Sequence, residues 1–352
     1  MALNIQKSLS GKYFSSTIPD VEFTISGVSA GVTISCGGSQ IYNETLFPVS
    51  GKIAIRELSD LVQPYARQQL VVSLVLTIRE NVLTGTGGTQ TMSATVIYCS
   101  ADFNTTSDAV SAATFCDSHF LSILLGRKVT ALGRLEFLHY LGTDTASVTA
   151  EYTDGSTATF TPPKVQGNDK YSTIDVSPSR FVKEGKTLIG YSAKAGDRTQ
   201  EFVIDLEQPD CAPILIFVNS FGCEELVYCT GTHKVSPSYK RTTTYIEGKQ
   251  KNYDIEETRT FKADTGVLNV AMQNWLDDLF RSEYVRVVNI YNGEPTIGKE
   301  VIVTDSKSEV SNDDGDLTRF TFSYQYAQRN QNVVDLRRAG RIFDNTFDYT
   351  FN

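Results

Sequence analysis

Three features of this 352-residue sequence predict a mainly β protein of two or three β-sandwich or barrel domains. Short runs rich in β-branched and aromatic residues recur along most of the chain, separated by Gly, Ser and Asn. Turn pairs such as Asp154-Gly155 and Asn292-Gly293 lie between alternating runs and suit tight hairpins, whose central residues need positive φ. A single stretch, in the last third, has convincing helical periodicity. The length accommodates domains that each bury a core. A hydrophobic fraction of 40% with 21% charged residues is that of a folded chain.

Residues 1–110 read as an N-terminal β-sandwich. Val21–Ser26 and Val32–Cys36 are strands joined across Gly27–Gly31, and Lys52–Arg56 alternates. Gln69–Arg79 places Leu70, Val72, Leu74, Leu76 and Ile78 on one face, and Thr91–Cys99 does the same with Met92, Ala94, Val96 and Tyr98. The glycine-rich Thr84–Thr89 turns the hairpin between them. Glu57–Tyr65 predicts a short helix stopped by Pro64. Residues 101–120 are small and polar without strand alternation, and read as a linker or boundary.

Residues 111–208 read as a second sandwich. Ser147–Phe160 is a hairpin about Asp154-Gly155, ended by Pro162-Pro163, and strands follow at Tyr171–Val176, Thr187–Ala193 and Gln200–Leu206. Glu207–Pro213, with two prolines, marks the next boundary.

Residues 209–326 read as a sandwich or barrel with one flanking helix and a long hairpin. After the strand Ile214–Val218, the polar runs Ser238–Ile246 and Asn252–Ala263 fold about Glu247-Gly248. The resulting hairpin is hydrophilic on both faces and too thin to stand alone, so it is suited to pairing with something else. A helix over 265–281, capped by Asp264, gathers Val267, Leu268, Ala271, Met272, Trp275, Leu276, Leu279 and Phe280 on one face. Asn269, Gln273, Asn274, Asp277 and Asp278 fall on the other. Strands at Tyr284–Tyr291, Lys299–Thr304 and Leu317–Tyr326 follow. Residues 327–352 form a C-terminal arm in which Phe343, Phe347 and Phe351 recur every four residues behind Arg337, Arg338 and Arg341. The arm either docks on its own protein or inserts aromatic anchors into a neighbour. With Tyr239, Tyr245 and Tyr253 of the hairpin, these arginines and phenylalanines are the candidate interaction residues.

Composition excludes several function classes. A net charge of −9 and a pI near 5.0 oppose direct nucleic-acid binding, and no apolar run is long enough for a membrane-spanning helix. The first residues lack the apolar core of a signal peptide, which predicts a protein made in a cytoplasm. Cys211, Cys223, Cys229 and His233 are spaced poorly for zinc, and free thiols are expected instead. Gly27–Gly31 matches G-x-S-x-G, but a strand follows it and none of the three histidines stands in a telling context. Gly85–Gly88 lacks the helix of a phosphate loop, and Asn312–Asp316 lacks the closing Glu of a calcium loop. The expectation is a non-enzymatic protein with no catalytic residue, metal or cofactor.

The runs W-L-D-D-L-F-R-S-E-Y-V-R-V-V-N-I-Y (275–291), F-T-F-S-Y-Q-Y-A-Q-R-N-Q-N (320–332) and I-F-D-N-T-F-D-Y-T-F-N (342–352) resemble tail and baseplate structural proteins of tailed bacteriophages, over about the last 140 residues, one domain in scale. The resemblance implies a barrel or sandwich flanked by one helix, with a long hairpin, assembled as a homo-oligomeric ring or tube beside other virion proteins. It also implies a virion location after assembly in the host cytoplasm. The alternative is a glycan- or receptor-binding module of a phage fibre or cell-surface protein.

Overall fold

The structure is a computed structural model that describes residues 3–101, 111–165, 170–291, 294–307 and 318–328. Asn292-Gly293, Asn312–Asp316 and the arm beyond Gln328, with Arg337, Arg338, Arg341, Phe343, Phe347 and Phe351, lie outside the described residues. Within them the chain is mainly β, in several sheets with three α-helices.

The N-terminal region contains β1 (Asn4–Lys7), β2 (Lys12–Phe14), β3 (Val21–Thr24), β4 (Ser29–Cys36), β5 (Ser39–Leu46), β6 (Lys52–Ile55), helix α1 (Leu58–Gln69), β7 (Val71–Asn81) and β8 (Thr89–Ile97). A five-stranded sheet, ordered β2-β8-β7-β4-β5, faces a three-stranded one, β1-β3-β6. The inward positions of β7, at Val72, Leu74, Leu76 and Ile78, pack with Val32, Ile34, Phe23 and Ile53 in one core. The expected stop at Pro64 does not occur, and α1 runs through it. Leu58, Val62 and Ala66 share its buried face, and that burial outweighs the one backbone bond a proline removes. The orphaned acceptor is on Asp60, an exposed residue that water can reach.

The linker expected at 101–120 is instead partly a folded joint. Helix α2 (Ala112–Ser118) is capped by Ser111, whose hydroxyl accepts the Thr114 N–H. It buries Ala112, Phe115 and Cys116 with Phe14, Ile97, Leu121, Phe221 and Cys223. Phe115 stacks on Phe221 at 5.4 Å and meets the edge of Phe14 at 5.6 Å. Residues from all three regions thus share a small core, which three apolar residues in a seven-residue polar stretch do not announce.

The middle region adds β9 (Lys128–Thr130), β10 (Phe137–Tyr140), β11 (Ala146–Tyr152), β12 (Thr157–Phe160), β13 (Lys164–Val165), β14 (Ser172–Asp175), β15 (Leu188–Ala195) and β16 (Arg198–Ile204). The sheets β12-β11-β15-β16-β9 and β10-β14-β13 enclose Val148, Ala150, Tyr152, Ile174, Phe181, Tyr191 and Phe202. The Asp154-Gly155 hairpin forms as expected, with Gly155 at φ +77.

The last region holds β17 (Ile214–Val218), β18 (Glu224–Tyr228), β19 (His233–Ile246), β20 (Lys249–Asp264), α3 (Val270–Arg281), β21 (Val285–Tyr291), β22 (Glu294–Lys307) and β23 (Thr321–Tyr326). They form one seven-stranded sheet, β18-β17-β21-β22-β23-β20-β19. Its two edge strands are consecutive in sequence, which forces curvature. A flat sheet would separate these edges by about 29 Å at ~4.8 Å per strand. The five residue steps from Tyr228 to His233 reach about 18 Å at most. The sheet therefore curls towards a barrel, and backbone bonds Thr230 N–H to Thr265 O and Gly231 N–H to Asp264 O tie the connection to the end of β20.

Two expectations about the helix need correction. It begins at Val270, capped by Asn269, whose side chain accepts the Met272 N–H at 2.9 Å, not at 265 behind Asp264. Asp264 is still paired with Thr321 in the sheet, and its carboxylate holds the N–H of Gly266, whose φ of +77 breaks the chain direction. Val267 is consequently exposed. Gln273 and Asp278, expected on the solvent face, are buried, because α3 packs on the curled sheet and also abuts neighbouring regions, as in the contacts of Asp278 with Ser220 and Met272 with Val129.

Candidate functional site

The densest chemistry in the described residues lies where the middle region meets the curled sheet. Lys128 Nζ donates to Glu136 Oε2 at 2.7 Å and to the Leu226 carbonyl at 3.3 Å, and lies 4.4 Å from the centre of the Trp275 ring. Thr130 Oγ1 donates to the other oxygen of Glu136 at 2.9 Å. Glu225 accepts from Trp275 Nε1 and from Asn219 Nδ2. Asp278 accepts from the N–H and hydroxyl of Ser220. His139 bridges Thr173 Oγ1 and the Glu224 carbonyl, each at 2.9 Å. All of these charged groups are buried.

This arrangement holds elements together. The cavity beside Lys128, Glu136 and Glu225 measures about 20 Å³, roughly the room one water needs, so a sugar does not fit beside those three side chains. Each carboxylate is occupied by fixed donors. Burial pushes the carboxyls of Glu225 and Asp278 up and the imidazole of His139 down. A raised folded-state value means that the folded chain holds protons more readily than the unfolded one. The carboxyl contribution to stability is therefore full at low pH and fades as pH rises through the raised values, while His139 acts in the opposite sense. Glu225→Gln is expected to flatten the decline in urea midpoint as pH rises above the ordinary carboxylate range; an unchanged slope would show that Glu225 does not titrate there.

The cysteine and histidine positions do not converge. Cys229 lies in the core of the last region, Cys223 in the shared joint, and Cys211 beside Ile214. His233 stacks on Phe261 and bonds the Tyr324 hydroxyl at 2.9 Å. Among the described residues no group of His, Cys, Asp and Glu is placed to hold a metal. Gly27 and Val28 form a turn, and Ser29 opens β4 with its hydroxyl accepting from Asn81.

The candidate interaction residues Tyr239, Tyr245 and Tyr253 stand on a ribbon. β19 and β20 pair in register from His233↔Ala263 to Ile246↔Lys249. Glu247 and Gly248, at φ 51 and 73, supply the two left-handed residues the tight turn requires. β23 pairs with β20 only from Phe261 to Asp264. From Thr260 to Lys249, about 36 Å at ~3.3 Å per residue, the ribbon has two strands and no third strand pairs with it among the described residues, although Gln325 donates to the Thr260 hydroxyl at 3.0 Å.

One face of the ribbon mixes apolar with charged side chains. Register places Val235, Pro237, Tyr239, Arg241, Ile255, Glu257 and Arg259 on the face of Phe261, and Tyr245 falls there beyond the bulge. Ser236, Ser238, Lys240, Thr242, Thr258 and Thr260 occupy the other face. The extra residue at the bulge is Tyr253, 77% exposed. It shifts the parity of β20 only over 249–252. Phe261 itself belongs to the core, so this mixed face continues from the barrel interior along the ribbon.

No family model matches the chain, and no curated protein matches it. Among solved structures, the chain is similar to Rst D1-D2 at 8% identity, covering 58% of this chain and 99% of that one with a TM-score of 0.25. It is also similar to a titin I67–I69 variant at 9% identity, covering 75% and 94%, with a TM-score of 0.21. A third is the Bacteroides ovatus glucan-utilization protein SGBP-B in complex with a mixed-linkage heptasaccharide, at 12% identity, covering 90% and 76%, with a TM-score of 0.19. None reaches the level at which two chains share a fold.

Proposed function

We propose that this chain is a non-enzymatic structural subunit of a tailed-phage particle, in the tail or baseplate, that assembles with copies of itself and with other virion proteins. The ribbon carries this reading. A two-stranded arm of that length is not stable by its own pairing, and Val235, Tyr239, Tyr245 and Ile255 stay exposed on the face that continues from Phe261. Residues 233–264 carry seven Lys and Arg against five Asp and Glu, on a chain of net charge −9. A basic ribbon meeting the acidic body of a neighbour gains from that difference. The single tryptophan is fully buried, which takes the strongest aromatic platform away from a glycan-binding alternative.

The test is the mass in solution of the full chain beside Tyr239→Ser/Tyr245→Ser and beside a chain ending at Gln328. Full-length oligomers that dissociate between about 0.1 and about 0.5 M salt, and that either change weakens, are expected. A monomer at every concentration would sink self-assembly. Absence of the chain from purified particles would sink the virion role.

A further inference from the structure

The six cysteines do not share one environment. Cys36, Cys99, Cys116, Cys223 and Cys229 are fully buried, whereas Cys211 reaches the surface in part. It sits in the connection between β16 and β17, and its thiol donates to the Pro209 carbonyl at 3.4 Å. It packs against the core of Leu226, Tyr228 and Val288. The adjoining Ala212 N–H donates to the Cys229 carbonyl at 2.9 Å, which ties the backbone beside the sulfur to the sheet.

Arg134 arrives from the turn between β9 and β10 and is only 8% exposed. Its guanidinium lies over the Tyr228 ring, 5.1 Å from the centre, and beside the Cys211 thiol. The Tyr228 hydroxyl accepts the Leu135 N–H at 2.7 Å and donates to the Leu135 carbonyl at 2.9 Å, so the turn carrying Arg134 is fixed. Yet Arg134 Nη2 is buried with no hydrogen-bond partner among the described residues. A charged donor is costly to leave that way. Sulfur is a weak acceptor for it, and an oxygen in the same place would be a strong one.

We infer that Cys211 is an oxidation site, and that the oxygen its sulfur gains from a hydroperoxide is held by Arg134. The Cys211 thiolate attacks one peroxide oxygen. An S–O bond forms, the O–O bond breaks, and the departing hydroxide takes up the thiol proton as water. The sulfur gives two electrons and the peroxide receives them, leaving a sulfenic acid. Once ionised, its oxygen accepts from Arg134. Asp205 and Asp210 bring negative charge to the same place, so the guanidinium is what makes an oxyanion tolerable there. Burial pushes the Cys211 thiol up and Arg134 opposes that rise; the reaction therefore quickens as pH rises and thiolate accumulates. Arg134 belongs to the middle region and Cys211 to the connection leaving it, so the new bond fastens one more point where the middle sandwich meets the curled sheet.

The experiment treats the reduced full chain with hydrogen peroxide and follows each cysteine peptide by mass spectrometry. Cys211 should gain oxygen while the other five keep their thiols. Arg134→Met should slow that gain about tenfold or more, the loss of one hydrogen bond to a charged group, and Arg134→Lys should fall between. The urea midpoint of the wild-type chain should rise on oxidation, because a buried donor gains its acceptor. That of Cys211→Ser should not move, which separates the sulfur of Cys211 from the three methionines. If Arg134→Met unfolds, all six thiols react together, and the lysine variant and the wild-type midpoint decide. Oxidation of another cysteine first, equal rates with and without Arg134, or a lowered midpoint overturns the inference. So does a disulfide between Cys211 and Cys229 in place of the oxygen. The ribbon takes no part in these measurements, so their failure leaves the assembly reading standing.

Discussion

Trp275→Ala is expected to cost about 3–5 kcal/mol, the largest loss of any single truncation in the last region. Trp275 is fully buried among Leu215, Phe217, Leu276 and Leu279, with its ring 5.7 Å from that of Phe217. Its removal opens a cavity where α3 meets the sheet, and takes one donor from Glu225 and the ring face from Lys128. Chemical denaturation followed by circular dichroism is the measurement. Trp275→Phe should lose less, since it refills most of the volume and forfeits mainly the indole N–H. Equal losses for the two variants would place the energy in the hydrogen bond and contradict a packing role. The wild-type chain has a single tryptophan, so its fluorescence follows unfolding of this region.

Lys128→Met should cost about 3–5 kcal/mol as well, by a different route. The methionine fills much of the space, but Glu136 is left buried without its counter-ion, keeping the Thr130 hydroxyl as a donor. The sign of the double variant is the informative part. Lys128→Met/Glu136→Leu removes both charges, and the desolvation cost that each charge carried goes with them. It is expected to recover most of the stability lost by Lys128→Met, giving a strongly non-additive cycle. Additive losses would mean that the ion pair contributes no coupling. The same cycle on the exposed pair Arg127–Glu201 should show little coupling, because water and salt screen that pair from both sides.

The two substitutions together describe what the buried junction does. Trp275 and Lys128 come from different regions, and Glu225 and Glu136 lie on either side of them. Oriented donors hold the middle sandwich against the curled sheet, so the ribbon projecting from that sheet has a fixed direction. For a subunit that assembles, a fixed direction sets the angle between copies, and that angle separates a closed ring from an open filament.

Much of the fold is legible residue by residue. The alternation of Val72, Leu74, Leu76 and Ile78, and the Asp154-Gly155 turn, report local geometry that each strand imposes on itself. The ribbon was legible as an arm because its polar residues run on without a core period. Tyr239 and Ile255 share a face with Arg241, Glu257 and Arg259, so no apolar period stands out there. Helix α1 passes Pro64 because tertiary burial outweighed a local rule. Helix α3 starts late because Asp264 is committed to the sheet. The joint around Phe115 was read as a linker, since its partners Phe14 and Phe221 lie about a hundred residues away on either side.

The sequence by itself determined what each segment is: β-rich throughout, with one strong amphipathic helix and a projecting polar hairpin. These follow from side-chain period and turn chemistry, which act over a few residues. Only the tertiary structure decided where the chemistry gathers. Lys128, Glu136, Glu225 and Trp275 span nearly 150 positions, and no spacing rule links them. The curl of the last sheet brings β18 and β19 close together, and packing of the middle sandwich against it removes those four side chains from water. Burial turns ordinary charges into a junction, and burial is a property of the whole fold.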